Sequence, residues 1–399
     1  MRITRFVNND SVTVEEMVAT AAGRLAQRCV GRHVLAIQDT TVLKSAGGGG
    51  LYLHPVVAVD AQDGAILGLA HAQFMSRSCG KAAQRRKKAV KDKESQRWLD
   101  GAQAAAKACA GAARITVVAD RESDIYAAFA QRPDNVDLLV RAAQDRSLGD
   151  DGRLFAAIDA LPEAGRTQLS LPAQAGRKAR VAILAVRFTS VILKRPKNAI
   201  GKDVPKTVRL FAVDVREIDP PEGETVHWRL LTTHEVTDLA GALVIAGFYR
   251  RRWMIEQLFR VMKTQGFDIE ALRMEHDAPR CKLATAVLIT AIAIQQMVHA
   301  RDGLAGAADD GPLRPLTDAF EAADIPLIEA FSAKLEGKTQ KQKNPHPKGS
   351  LAFAAWVCAR LGGWNCYYGK PGPIVMLKGW NIFQAAKHGA ALMAGVKDV

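Results

Sequence analysis

Three carboxylates set the chemistry available to this sequence. Glu256 lies in Tyr249 to Lys263, YRRRWMIEQLFRVMK, a run without Gly or Pro whose apolar residues recur at helical spacing. At about 100° per residue, Tyr249, Arg252, Glu256, Arg260 and Lys263 fall within roughly one 80° arc. Met254, Ile255, Leu258, Val261 and Met262 take the other side. A lone glutamate flanked by arginines at i−4 and i+4 is also ordinary salt-bridge chemistry on a solvated face. Asp39 and Asp120 weigh against that plain reading, because each closes a strand-like apolar run. Three carboxylates within a few ångströms repel one another, and divalent cations relieve the repulsion. All-oxygen sites with open positions suit magnesium or manganese. Two such ions about 3.5–4 Å apart support in-line phosphoryl displacement.

The elements that must position these residues follow from periodicity. Val12 to Cys29 reads as an amphipathic helix with Ser11 or Thr13 as N-cap. His33 to Thr41 reads as a buried strand running into a polar turn, with Asp39 at its end. Leu51 to Asp60 and Ala65 to Met75 are two more strands joined at Asp63-Gly64, which suggests an antiparallel meander. Gly47 to Gly50 is a tip and not a phosphate loop, since no Gly-Lys-Ser/Thr follows. A basic run from Lys81 to Lys93 reads either as a solvated loop or as a phosphate-tracking surface. Lys93 to Ala112 is an Ala-rich helix, and Ala113 to Asp120 a buried strand. Arg121 to Gln131 reads as a helix directly after it, which puts Asp120 at a strand-to-helix junction where ligands gather in α/β sheets. Asn135 to Ala143 is a further strand.

From residue 144 to 233 strand-like runs alternate with Pro, Gly and Lys clusters, a β-rich insertion. Asp238 can cap a helix from Leu239 through Met262. The remainder is mainly helical, broken by a Gly-, Lys- and Pro-rich loop over Gly337 to Gly349. The expected organisation is therefore an N-terminal helical arm (1–32), the first half of a core (33–143), the insertion (144–233), the core helix bearing Glu256 (234–266) and a helical C-terminal region (267–399). A meander followed by alternating helices and strands is the ribonuclease-H-like pattern, an α/β fold. In it the first and fourth strands lie side by side, and a late helix brings the third carboxylate.

Charge narrows the partner. Lys plus Arg number 55 against 41 for Asp plus Glu, a net charge of +14 that favours a polyanion, nucleic acid first. It also fits poorly with a glycosidase carboxylate pair. The six cysteines show no C-x-x-C spacing and read as reduced cytosolic residues. The most apolar run, Leu283 to Val298, falls short of the ~20 residues of a membrane span and reads as a buried helix.

Three motifs in order carry a family resemblance. QDTT (Gln38 to Thr41), DRESDIY (Asp120 to Tyr126) and the spacing Tyr249, Arg252, Glu256, Lys263 resemble the DDE transposases of the bacterial insertion-sequence-four group, transposon-five type. KESQRW (Lys93 to Trp98) and LGGW (Leu361 to Trp364) look like further signatures of that family. The resemblance implies that Asp39, Asp120 and Glu256 hold the catalytic magnesium ions, two of them, with manganese as a substitute. It implies that Tyr249, Arg252 and Lys263 grip phosphates of double-stranded DNA, with Arg260 on the same face. It points to Trp228 as the residue that stacks on a flipped base, against the alternative of packing within the insertion. Arg121 and Arg141 become backbone contacts, with closure of its strand end as the alternative for Arg141. The family's second basic residue after Arg141 is replaced by Ala143. The implied activity is cut-and-paste transposition through a hairpin, by a homodimer on paired ends in the bacterial cytoplasm. Only 38 residues precede Asp39, fewer than the family's end-recognition domain needs, so a regulator that inhibits full-length partners by dimerisation is the alternative.

Overall fold

A computed structural model describes residues 2–44, 50–76, 95–173, 178–197, 204–221, 225–271, 274, 276–303, 313–393 and 395. The basic run from Lys81 to Lys93 and most of the glycine tip lie outside the described residues. The architecture is mixed α/β, built on one ten-stranded sheet. Its strands are β1 (His33–Gln38), β2 (Thr41–Lys44), β3 (Gly50–Asp60), β4 (Ile66–Ser76), β5 (Arg114–Ala119), β6 (Val136–Arg141), β7 (Gly165–Leu171), β8 (Arg180–Lys194), β9 (Thr207–Glu217) and β10 (His227–Thr232).

β1, β5 and β6 are parallel neighbours, and every other pairing is antiparallel. Parallel strands are covered on both faces, which is why β1 and β5 are near-continuous buried apolar runs. β3 pairs with β1 on one edge and β4 on the other. Beyond β6 the order runs β10, β9, β8, β7, so the strands of residues 144–233 prolong the core sheet itself.

β2 is a strand that the sequence pattern hid in a polar turn. Gln38 lies opposite Val56 and Thr41 opposite Leu53, so β1 and β2 share one register along β3. They are interrupted only at Asp39 and Thr40, whose counterparts in that register are Pro55 and His54. Pro55 has no N–H for a ladder bond, and the chain opens there.

The helices are α1 (Arg2–Val7), α2 (Val14–Cys29), α3 (Gln96–Ala108), α4 (Tyr126–Ala130), α5 (Leu154–Asp159), α6 (Leu239–Arg251), α7 (Trp253–Lys263), α8 (Asp277–Ala300), α9 (Ile325–Leu335), α10 (Leu351–Leu361) and α11 (Pro373–Met393). Thr13 caps α2 by accepting from Glu16 N, the second of the two expected caps. One sheet face packs on α3, α4 and α5 through Ala102, Ala105, Phe129 and Leu154. The other packs on α6, α7 and α8 through Ile245, Leu258 and Leu288, and α10 and α11 pack against α8 and add Trp356 and Phe383 to the same core.

Two expected helices are divided. Arg121–Ser123 is a 3-10 turn, and α4 starts only at Tyr126. The Asp120 junction needs this tighter turn because Asp124 points back to the chain after β6, where Ala143 N and Gln144 N donate to it. The long helix after Asp238 breaks at Arg252, whose N–H turns to Tyr249 O while Ile255 N–H turns to Arg252 O. The Leu283 to Val298 run also extends further than expected. α8 is 24 residues and, by length and composition alone, long and apolar enough to cross a membrane; 56% of its most apolar window is buried within the fold.

α10 and α11 approach so closely that a Cβ on Gly379 would lie 1.7 Å from the Cys358 carbonyl oxygen. Gly379→Ala is expected to force the helices apart and destabilise the protein by about 1–3 kcal/mol. Denaturant unfolding followed by circular dichroism checks this, and an unchanged midpoint would contradict the close packing.

Candidate active site

β1 and β5 deliver two carboxylates to one place. Ile37 lies opposite Val118 in the parallel register, so both chains leave the sheet at the same level, two residues later at Asp39 and Asp120. This is the carboxyl end of adjacent parallel strands, the edge where α/β sheets place ligands. α7 then brings Glu256 alongside.

Arg252 is the centre of the cluster. Its Nη1 donates to Asp39 Oδ2 at 2.8 Å and its Nη2 to Glu256 Oε1 at 2.5 Å, while Asp120 Oδ2 lies 3.8 Å from Nη2. The residue itself is only 9% exposed. Burial opposes its charge, but Tyr249, Asp120, Asp39 and Glu256, in that order, outweigh burial and hold its pKa above the usual arginine value. The tightened turn at Arg252 directs the guanidinium into the gap.

The remaining groups close round this core. Tyr249 Oη donates to Asp120 Oδ1 at 3.0 Å. Burial and the Asp120 charge push its phenol up to about 12, so it keeps its proton at neutral pH. Burial likewise raises the Asp39 carboxyl to about 6, helped by Asp120 and Glu256 and opposed by Arg252 and the Thr40 N–H. Arg141 Nη1 stands 4.0 Å from Asp120 Oδ1, and its Nη2 donates to His227 O at the start of β10. Trp228, the next residue, sets its ring edge against Tyr249 with centroids 5.5 Å apart.

Other expected site residues stand apart from the carboxylates. Lys263 Nζ donates to Val42 O at 2.6 Å and pairs with Glu270 at 3.3 Å, so it secures β2. Arg260 is exposed and makes no ion pair with Asp39, Asp120 or Glu256. Arg121 is exposed on the 3-10 turn.

A buried lock that the sequence pattern does not reveal lies behind Asp120. Arg146 Nε and Nη2 donate to Asp124 Oδ1 at 2.9 and 2.6 Å, with both side chains almost fully buried. Asp124 was within the DRESDIY motif, but its partner lies beyond β6 and no local spacing announces it.

The donor set is three carboxylates with no thiolate or imidazole, each side chain between 24% and 32% exposed. That chemistry suits a hard divalent cation. Their spacing here is set by the guanidinium, and among the described residues no group of three His, Cys, Asp or Glu side chains closes round a metal-sized point.

A family model described as the transposase DDE domain matches residues 53–292. The chain belongs to the DDE transposase family. The matched span contains Asp120 and Glu256 and begins after Asp39. Asp39 is joined to Asp120 and Glu256 by the β1–β5 register and by its contact with Arg252. DDE transposases act on DNA and generally depend on a divalent metal ion.

Removing Arg252 tests the electrostatics directly. In Arg252→Gln the Asp39 carboxyl, already raised to about 6 by burial, loses the guanidinium that opposes the rise, so its folded-state pKa moves further above the unfolded one. Stability is then lost as pH rises through those values. The expected loss in the metal-free protein is on the order of 2 kcal/mol at pH 8 and much less at pH 5. Thermal unfolding at both pH values checks this; an equal loss at both would contradict a charge-based role.

Proposed function

We propose that this transposase excises a DNA element and joins it to target DNA by the cut-and-paste route, as a member of the insertion-sequence-four group, transposon-five type. The single observation that carries this reading is one guanidinium within 3.8 Å of carboxylates from three separate elements. Such a concentration of negative charge at the edge of parallel strands is costly unless a cation is the point of it.

Asp39, Asp120 and Glu256 would hold magnesium, or manganese in its place. Bound there, a pair of ions would supply Lewis-acid activation of the attacking oxygen and charge stabilisation of the leaving one. Loading requires Arg252 to release part of its carboxylate contacts. The guanidinium is then free to pair a DNA phosphate bidentately, the role that the motif resemblance assigns to it. Tyr249 keeps its proton and orients Asp120 through its hydroxyl. Arg141 flanks Asp120, and the exposed Arg121 would meet the DNA backbone from the 3-10 turn that follows. Arg260 and Lys263 continue along α7 toward β2 and would follow the backbone further from the scissile bond.

Trp228 is half-buried beside Tyr249, which itself bonds Asp120, and would receive a base turned out next to the cut. The charge of +14 supports double-stranded DNA as the partner. A homodimer on paired ends, a hairpin intermediate and action at the bacterial nucleoid rest on the motif resemblance.

Glu256→Gln keeps the size and the contact with Arg252 and removes one negative ligand. Cleavage of DNA carrying the element's ends is expected to fall to background, with affinity for the same DNA unchanged in a gel-shift assay. Retained cleavage would overturn the assignment of Glu256.

A further inference from the structure

α3 meets the site at a point the carboxylates do not explain. Its second residue, Arg97, donates through Nε to Thr40 Oγ1 at 3.0 Å and through Nη2 to Glu122 Oε2 at 2.5 Å. Thr40 follows Asp39, and Glu122 is two residues beyond Asp120. One planar guanidinium thus bridges the two loops that carry the paired aspartates. The Arg97 side chain is 11% exposed and lies 5.0 Å over the Trp98 ring, so it has little room to swing.

A directed chain of hydrogen bonds runs behind this bridge. The Trp98 carbonyl can only accept, so Gln38 presents its Nε2 there, at 3.2 Å. Gln38 Oε1 then faces His54 Nε2 at 3.2 Å, and that nitrogen carries the proton. His54 Nδ1 therefore accepts from the Thr40 hydroxyl at 2.9 Å. The Thr40 oxygen is left with lone pairs for Arg97, and its own backbone N–H donates to Asp39 Oδ1 at 2.8 Å. Each link pairs one donor with one acceptor, which fixes the hydroxyl orientation and the imidazole tautomer. The chain sits where Pro55 interrupts the ladder, so these side chains replace the strand bonds that would otherwise hold Asp39. A Cβ on Gly101 would lie 2.2 Å from Gln38 Oε1, so a side chain at 101 would displace the Gln38 amide from this network.

We propose that Arg97 is a positioning residue that sets the separation of Asp39 and Asp120 and thereby the affinity of the site for divalent cations. This rests on the proposed cation site, and its test separates the two. Manganese binding to the full chain without DNA is measured by the electron paramagnetic resonance of free Mn2+, alongside thermal unfolding in EDTA. Arg97→Gln and Thr40→Val are each expected to weaken Mn2+ binding about tenfold, the scale seen when partners of metal ligands are lost. Arg97→Lys should fall between, because a point charge cannot bridge both loops. Arg114→Gln, which breaks an ion pair with Asp137 at the opposite end of β5, should leave binding unchanged for a comparable change in unfolding.

Wild-type affinity in both Arg97→Gln and Thr40→Val would overturn the positioning role while leaving the carboxylate site intact. If Arg97→Gln fails to fold, Thr40→Val alone decides, since it keeps the side-chain shape. No Mn2+ binding by the wild type would overturn the cation site and the positioning role together.

Discussion

Three negative charges must share a small volume at the edge of a hydrophobic sheet, and one buried guanidinium meets all of them. Much of the local structure serves that constraint. The β1–β5 register levels the two aspartates, the missing N–H of Pro55 releases Asp39 from the ladder, and the tight turn between α6 and α7 aims Arg252 between them. Charges this close cannot be left uncompensated in a partly buried site, so a cation has to be there in every state. The family's dependence on divalent ions and the arginine at the centre of the cluster express the same electrostatic demand.

The strands of residues 144–233 take part in the same arrangement. β10 hydrogen-bonds directly to β6, and its first residues bring His227 against Arg141 and Trp228 against Tyr249. An aromatic ring, a protonated phenol and two arginines thus stand round Asp120. The wider sheet gives these groups a rigid base, while α10 and α11 pack against α8 and add Trp356 and Phe383 to the core behind α6 and α7.

The carboxylates were legible because buried parallel strands write themselves as unbroken apolar runs that end in a polar residue. Glu256 was legible because the amphipathic period of Trp253 to Lys263 leaves it on the polar face. What the sequence hid depends on partners distant along the chain. β2 looked like a turn because its four residues form a strand only in the register that β3 imposes. Arg252 read as a phosphate ligand, and its three carboxylate contacts come from packing that periodicity cannot express. The divided helix after Asp120 follows from Asp124 reaching across to Arg146. His54 and Pro55 read as an ordinary part of a strand, and only the register places them against Asp39 and Thr40.

The most direct test of the account is to let the bound ion report its own position. With Fe2+ in place of magnesium, ascorbate and peroxide generate hydroxyl radicals that cut the polypeptide near the metal. The account predicts three cuts, close to Asp39, Asp120 and Glu256, all suppressed by excess Mg2+. Cuts elsewhere, or at only one of these positions, would contradict the claim that the three carboxylates form a single cation site.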